Sequence, residues 1–140
     1  MSTLFNYLSF TIRVAVKKID KQLNYKLEKH GISIPQSFIL YCLQVEDGLT
    51  LKEIGNRALI DSSTMTVLID KLEKSNLVER KLDSQDRRAI RVYITEEGEK
   101  LAETISDIAI EFNSLLYDVL GEGNQKEFIH GINNIINKLD

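Results

Sequence analysis

Apolar residues first recur at steps of three and four. Leu4, Leu8, Ile12, Val16, Ile19, Leu23 and Leu27 form one stripe, with Lys, Asp, Asn and Gln filling the gaps. That period predicts an amphipathic helix over the first 30 residues, closed at His30-Gly31. A second helix is expected to start near Pro35, where the missing N–H is harmless in a first turn. It runs through the apolar stretch Phe38 to Leu43 and breaks at Asp47-Gly48. Thr50-Leu51-Lys52-Glu53 has the form of a capping box, in which Thr50 accepts from the Glu53 backbone and the Glu53 carboxylate reaches back. It opens a short helix with Leu51, Ile54 and Ala58 inward. After Leu59-Ile60-Asp61, either Asp61 or Ser62 caps a longer helix whose apolar stripe is Met65, Leu68, Ile69 and Leu72. Asn76 closes that helix, because asparagine enters the left-handed region more cheaply than most residues.

The period then changes. Residues 77–82 and 90–94 read as two strands, the second with Ile90, Val92 and Ile94 inward. The polar loop Asp83-Ser84-Gln85-Asp86-Arg87-Arg88-Ala89 joins them. Thr95 is expected to cap a long helix bearing Leu101, Ile105, Ile108, Phe112, Leu115 and Val119. Gly121 and Gly123 interrupt it, and a final amphipathic helix carries Phe128, Ile129, Ile132, Ile136 and Leu139. The fold class is therefore mainly α with a small β-hairpin wing. Two helices joined by about three residues have the dimensions of a helix-turn-helix. The following hairpin with its basic tip makes this a winged helix-turn-helix. Residues 33–95 are assigned to it as a DNA-binding region. Residues 1–30 and 96–140 are assigned to a helical dimerisation region, because their apolar stripes exceed what a small winged domain can cover.

Composition narrows the function. The 140 residues are 43% apolar and 28% charged, the balance of a globular chain. One cysteine, Cys42, excludes an internal disulfide. With only His30 and His130 beside it, the inventory is poor for metal or nucleophilic chemistry. No cofactor and no enzymatic activity are expected. The apolar N-terminal run contains Arg13 and is followed rather than preceded by its lysines, the reverse of a secretory signal. No stretch is long enough to cross a bilayer, so the expectation is a cytoplasmic protein without a membrane partner. The net charge of −3 conceals segregation. Residues 71–95 carry seven Lys/Arg against four Asp/Glu, whereas residues 96–140 carry three against ten. Salt screens each charge beyond roughly 8 Å, so the local basic block governs contact with phosphates.

The segments 50–55, 61–66 and 72–80, and above all Asp83-Ser84-Gln85-Asp86-Arg87-Arg88, resemble the MarR family of bacterial transcriptional regulators. Ile94-Thr95-Glu96-Glu97-Gly98 fits as well, and the resemblance spans essentially the whole chain. Two departures are Asn76, where the family often has glycine, and Ser84, where it often has proline. The resemblance implies a homodimer that binds double-stranded DNA at pseudo-palindromic operators, usually as a repressor relieved by a small aromatic or phenolic effector. Position by position, it implies that Ser62, Ser63, Thr64 and Thr66 touch bases or phosphates. Arg87 would enter the minor groove with Arg88 beside it, and Asp86 would brace the wing by pairing with an arginine.

Each of these residues has a plainer reading. Ser62, Ser63 and Thr64 favour helix starts wherever they occur. Lys71 and Lys74 serve equally as phosphate contacts or as solvated helix charges. Tyr7, Tyr25, Phe38 and Tyr41 line a cavity or pack in the core, and the sequence leaves both open. One branch of the family senses peroxide through a cysteine in the first helix; this first helix has none. Cys42 lies in an apolar run and reads as a buried, inert thiol. A constitutive regulator without an effector and a winged-helix interaction module that does not bind DNA are the competing functions. The basic wing speaks against the second.

Overall fold

The computed structural model describes residues 3–140. They form two compact units, one up to Ser106 and one from Asp107 onward. The first unit opens with a single 3-10 turn, Thr3–Asn6, followed by α1 (Leu8–Glu28). The unbroken helix expected over the first 30 residues is thus confined to the 21 residues of Leu8–Glu28. Tyr7 stands at its N-cap in an extended conformation without a side-chain cap bond. Of the stripe on α1 only Leu27 is buried.

Helix α2 (Ile34–Val45) starts one residue before the expected proline because Ser33 forms a reciprocal capping box with Gln36. The Gln36 N–H donates to Ser33 Oγ at 3.4 Å, and the Ser33 N–H donates to Gln36 Oε1 at 2.9 Å. Leu49–Thr50 forms β1, an element the sequence pattern did not show. Helix α3 (Leu51–Ala58) follows at once. Thr50 accepts from the Glu53 N–H at 3.2 Å, but only this half of the predicted capping box forms. After the left-handed Leu59 (φ 57°) comes α4 (Ser62–Lys74). Met65, Leu68, Ile69 and Leu72 are buried on it, as their spacing required.

Asn76 takes the left-handed conformation (φ 59°) that its place after α4 demands. Its N–H bonds to the Glu73 carbonyl at 3.0 Å, and the Leu77 N–H bonds to the Leu72 carbonyl at 3.0 Å. This is a Schellman closure, which satisfies two carbonyls at the end of the helix. It also consumes the Leu77 N–H, so β2 begins at Val78 (Val78–Leu82) rather than at Leu77. β3 is Ile90–Ile94. The sheet has three strands, not two, in the order β1-β3-β2 and all antiparallel. Val92 is fully buried at the centre of β3. Ile90 is 39% exposed, against the inward placement expected, because it pairs with Leu82 at the loop end of the hairpin, beyond the core, where Leu82 is itself 68% exposed.

The core of this unit collects Leu27, Ile39, Leu40, Leu43, Leu49, Ile54, Met65, Ile69, Leu72, Val78 and Val92, each almost wholly withdrawn from water. Side chains of this size contribute about 1.5–3 kcal/mol each on burial. Helix α5 (Glu96–Leu120) starts at the cap predicted for it, with Thr95 Oγ1 accepting from the Gly98 N–H at 3.0 Å. The second unit holds the remainder of α5 and α6 (Gln125–Lys138), with a turn at Gly121 where φ is 83°. Gln125 Nε2 donates to the Tyr117 carbonyl at 2.8 Å across that turn. No residue of α6 is buried. Among the described residues no helix is long and apolar enough to cross a membrane.

Candidate nucleic-acid interface

Helix α4 is second in a pair whose crossing is tight because position 55 is glycine. A Cβ there would lie 2.8 Å from the Ile60 carbonyl oxygen and 3.3 Å from Met65 Cγ. The face of α4 opposite the buried stripe carries Ser63, Val67, Asp70 and Lys74, with Thr66 and Lys71 flanking it. A helix presented in this way fits the major groove, about 12 Å wide.

The first turn is organised by Asp61. Its side chain accepts from the Thr64 N–H at 2.8 Å, from the Ser63 hydroxyl at 2.7 Å and from the Thr64 hydroxyl at 3.0 Å. The backbone bond first, and then the two hydroxyls, hold the carboxyl at about 2, below its ordinary 3.8. Asp61 is therefore the N-cap, and Ser63 and Thr64 spend their protons on it. Their oxygens remain available as acceptors. Thr66 likewise donates to the Ser62 carbonyl at 3.2 Å.

Downstream, an arginine ties α4 to the wing. Arg80 on β2 gives its N–H to Glu73 Oε2 at 3.0 Å and its Nη2 to Glu73 Oε1 at 3.1 Å. The same guanidinium pairs with Asp70. The Arg80 backbone and then its side chain lower the Glu73 carboxyl. The carboxylates of Asp70 and Glu73, otherwise repulsive to phosphates, thus arrive already engaged.

The wing corrects one expectation. Asp86 does not pair with an arginine side chain; it accepts from the Arg88 N–H at 3.0 Å, and its carbonyl takes the Ala89 N–H at 3.0 Å. Asp83 fixes the loop instead. It accepts from the Gln85 N–H at 2.8 Å and from Arg91 Nε at 2.6 Å. Arg91 then reaches the Gly48 carbonyl at 2.8 Å, anchoring the hairpin to β1. The Gln85 N–H first and Arg91 second lower the Asp83 carboxyl.

All nine residues singled out from the sequence are exposed. Ser62, Ser63, Thr64 and Thr66 lie together on the first turns of α4, and Lys71 and Lys74 on its last turn. Asp86, Arg87 and Arg88 lie at the far end of the β2–β3 ladder, so the nine form two groups. No hydrogen bond or ion pair joins the groups among the described residues. Sequence reasoning passed over Val67, which lies at the centre of the outward face; its place opposite the Met65–Leu72 stripe was there to be read. It also passed over Lys52 and Asn56 of α3, which line a groove beside Ser62 and Thr66.

The aromatic question left open by the sequence is settled against the core. Tyr7, Tyr25, Phe38 and Tyr41 are 66%, 64%, 45% and 58% exposed. Tyr25 carries the Lys29 ammonium 5.0 Å from its ring centre. Phe38 and Tyr41 line a groove of about 420 Å³ together with Cys42, Val45, Arg57, Ala58 and Leu59. Cys42 is half-buried rather than buried, and desolvation pushes its thiol up against the opposing pull of Arg57.

A recognition helix with a basic wing beside it defines a winged helix-turn-helix DNA-binding protein. The model of the MarR family matches residues 32–90. The HTH-type transcriptional regulator SarZ of Staphylococcus haemolyticus is 32% identical over 108 residues, covering 77% of this chain and 74% of that protein. SarZ of Staphylococcus aureus is 27% identical over 141 residues, covering 98% and 91%. The crystal structure of the S. aureus MepR–DNA complex superposes with a TM-score of 0.88 at 26% identity, over 95% of this chain and 98% of that one. The chain belongs to the MarR family and is a DNA-binding transcriptional regulator rather than an enzyme.

Proposed function

We propose that the protein is a cytoplasmic homodimeric repressor that binds double-stranded DNA at pseudo-palindromic operators and is released by a small aromatic or phenolic effector. The observation that carries the DNA reading is the outward face of α4, polar at its first turn and basic at its last, with Arg87 and Arg88 exposed on the wing. Ser62, Ser63, Thr64 and Thr66 then contact base edges or phosphates, and Lys71 and Lys74 contact phosphates. Arg87 enters the minor groove with Arg88 beside it, and the bonds Asp86 makes shape the loop that carries them.

Exposed apolar surface supports the dimer, in which residues 1–30 and 96–140 form the dimerisation region around the DNA-binding region 33–95. Near the N-terminus Phe5, Tyr7, Leu8 and Val16 are exposed. In the second unit Ile110, Leu115, Val119, Phe128, Ile136 and Leu139 are exposed. Burying such surface contributes roughly 25 cal/mol per Å² before the costs of association. A two-fold dimer places its recognition helices about 34–36 Å apart, one turn of DNA. The effector reading is supported by the groove under Phe38 and Tyr41, whose walls are apolar and whose cation, Arg57, is held at 2.6 Å by the exposed Glu46. A phenolic acid matches aromatic walls beside a guanidinium, and its carboxylate would compete with Glu46.

Selection of bound duplexes from a random pool tests the whole reading. An inverted repeat, a sedimentation mass of two chains, and silencing of a reporter that carries the selected site are expected. A monomer at working concentrations, or no duplex retained at low salt, overturns it. Salicylate and related phenols should lower operator affinity; calorimetry without heat and without loss of DNA binding would leave a constitutive regulator.

A further inference from the structure

Valine is a poor helix former because its branched side chain loses χ1 freedom against the preceding turn. An interior valine on a helix is normally offset by burial. Val67 receives no such compensation: it sits mid-way along α4 and is 52% exposed, the only large apolar side chain of that helix left in water. It breaks a local rule without a structural gain, a pattern that points to function.

Its surroundings say which function. One turn before it on the outward face is Ser63, whose hydroxyl proton goes to Asp61. Beside it is Thr66, whose proton goes to the Ser62 carbonyl. On the C-terminal side is Asp70, engaged by Arg80. The N-terminal neighbours of Val67 therefore present oxygen acceptors, and Asp70 a neutralised carboxylate. The exposed Lys71, one turn on, carries its ammonium on a stem long enough to reach past Val67 to a phosphate. An isopropyl group can neither hold a phosphate nor read a hydrogen-bonding edge. In the major groove one native base feature fits it, the 5-methyl group of thymine.

We propose that Val67 reads a thymine methyl in each operator half-site and so sets the base preference of the recognition helix. This rests on the DNA-binding reading above. The acceptor oxygens of Ser63 and Thr66 then favour a base pair next to that thymine whose groove edge offers an exocyclic amino group.

The test uses the full chain and the duplex recovered by selection, with each thymine in turn replaced by deoxyuridine, which lacks only the methyl. Wild-type affinity should fall about fourfold at one symmetric position per half-site, the equivalent of one methyl group withdrawn from contact. Val67→Ala should bind the thymine and deoxyuridine duplexes alike, whereas Val67→Thr, which keeps one methyl, should retain the discrimination. Melting curves of the variants confirm that they are folded, and the wild-type scan stands without them. Equal wild-type binding to every deoxyuridine duplex overturns the proposal, as does discrimination that persists undiminished in Val67→Ala. If the wild type retains no duplex at all, the DNA-binding reading falls too. Tight binding that depends on Arg87 but ignores every methyl removes Val67 alone.

Discussion

At the scale of single residues the site is governed by which polar groups are already engaged. Asp61 illustrates the sign of such an effect. Its folded-state carboxyl titrates at about 2, against an ordinary value of 3.8, so its capping contribution is complete above the ordinary value and is lost as the pH falls through the folded one. Thermal melts of the wild type and Asp61→Ala should therefore differ at pH 7 and converge as the pH is lowered from 3.8 toward 2; a constant gap would remove Asp61 as the cap. Arg87 is the opposite case: it is exposed in the loop of the wing. Arg87→Ala should weaken operator binding by about 1–3 kcal/mol without altering the melting curve, measured by gel shift at fixed salt. Unchanged affinity would place the wing off the DNA.

At the scale of elements, α4, β2 and the first turn of α5 meet at one junction, and its tightest point is Gly98. A Cβ there would stand 2.1 Å from the Leu77 carbonyl oxygen and 2.7 Å from Ile94 Cγ1. Backbone cannot yield as a flexible side chain does, so Gly98→Ala should destabilise the fold by about 1–3 kcal/mol or more, read from urea unfolding. What the sequence revealed of these elements follows from range. The stripe Met65, Leu68, Ile69 and Leu72, the Asn76 closure and the Thr95 cap depend on neighbours within a few positions and were legible. The two-residue β1 was not, because Leu49 and Thr50 become a strand only by pairing with Val92 and Arg91 more than forty residues away. For the same reason the wing's ion pair was assigned to Asp86. The choice of Asp83 depends on where the hairpin register sets Arg91, opposite Lys81. The half-formed box at Thr50 shows a motif supplying both partners while the fold uses one bond. Val67 was hidden by its type, since apolar residues are read first as core.

At the scale of the whole molecule, charge is divided between a basic stretch at 71–95 and an acidic one at 96–140. Attraction to DNA then belongs to a few cations, and each should be countable. If Lys74 meets a phosphate, Lys74→Ala reduces the slope of log affinity against log salt by about 1 per protomer; an unaltered slope returns it to the solvated face of α4. One junction also governs how any signal must travel. The Thr95 hydroxyl donates to the Asn76 carbonyl at 2.7 Å while accepting from Gly98, and the Thr95 N–H bonds to the Leu77 carbonyl at 3.0 Å. Fastened at two points, the turn that ends the reading helix and the capped head of α5 form two arms of one bracket. A stimulus that turns the head of α5 should therefore carry the end of the reading helix with it.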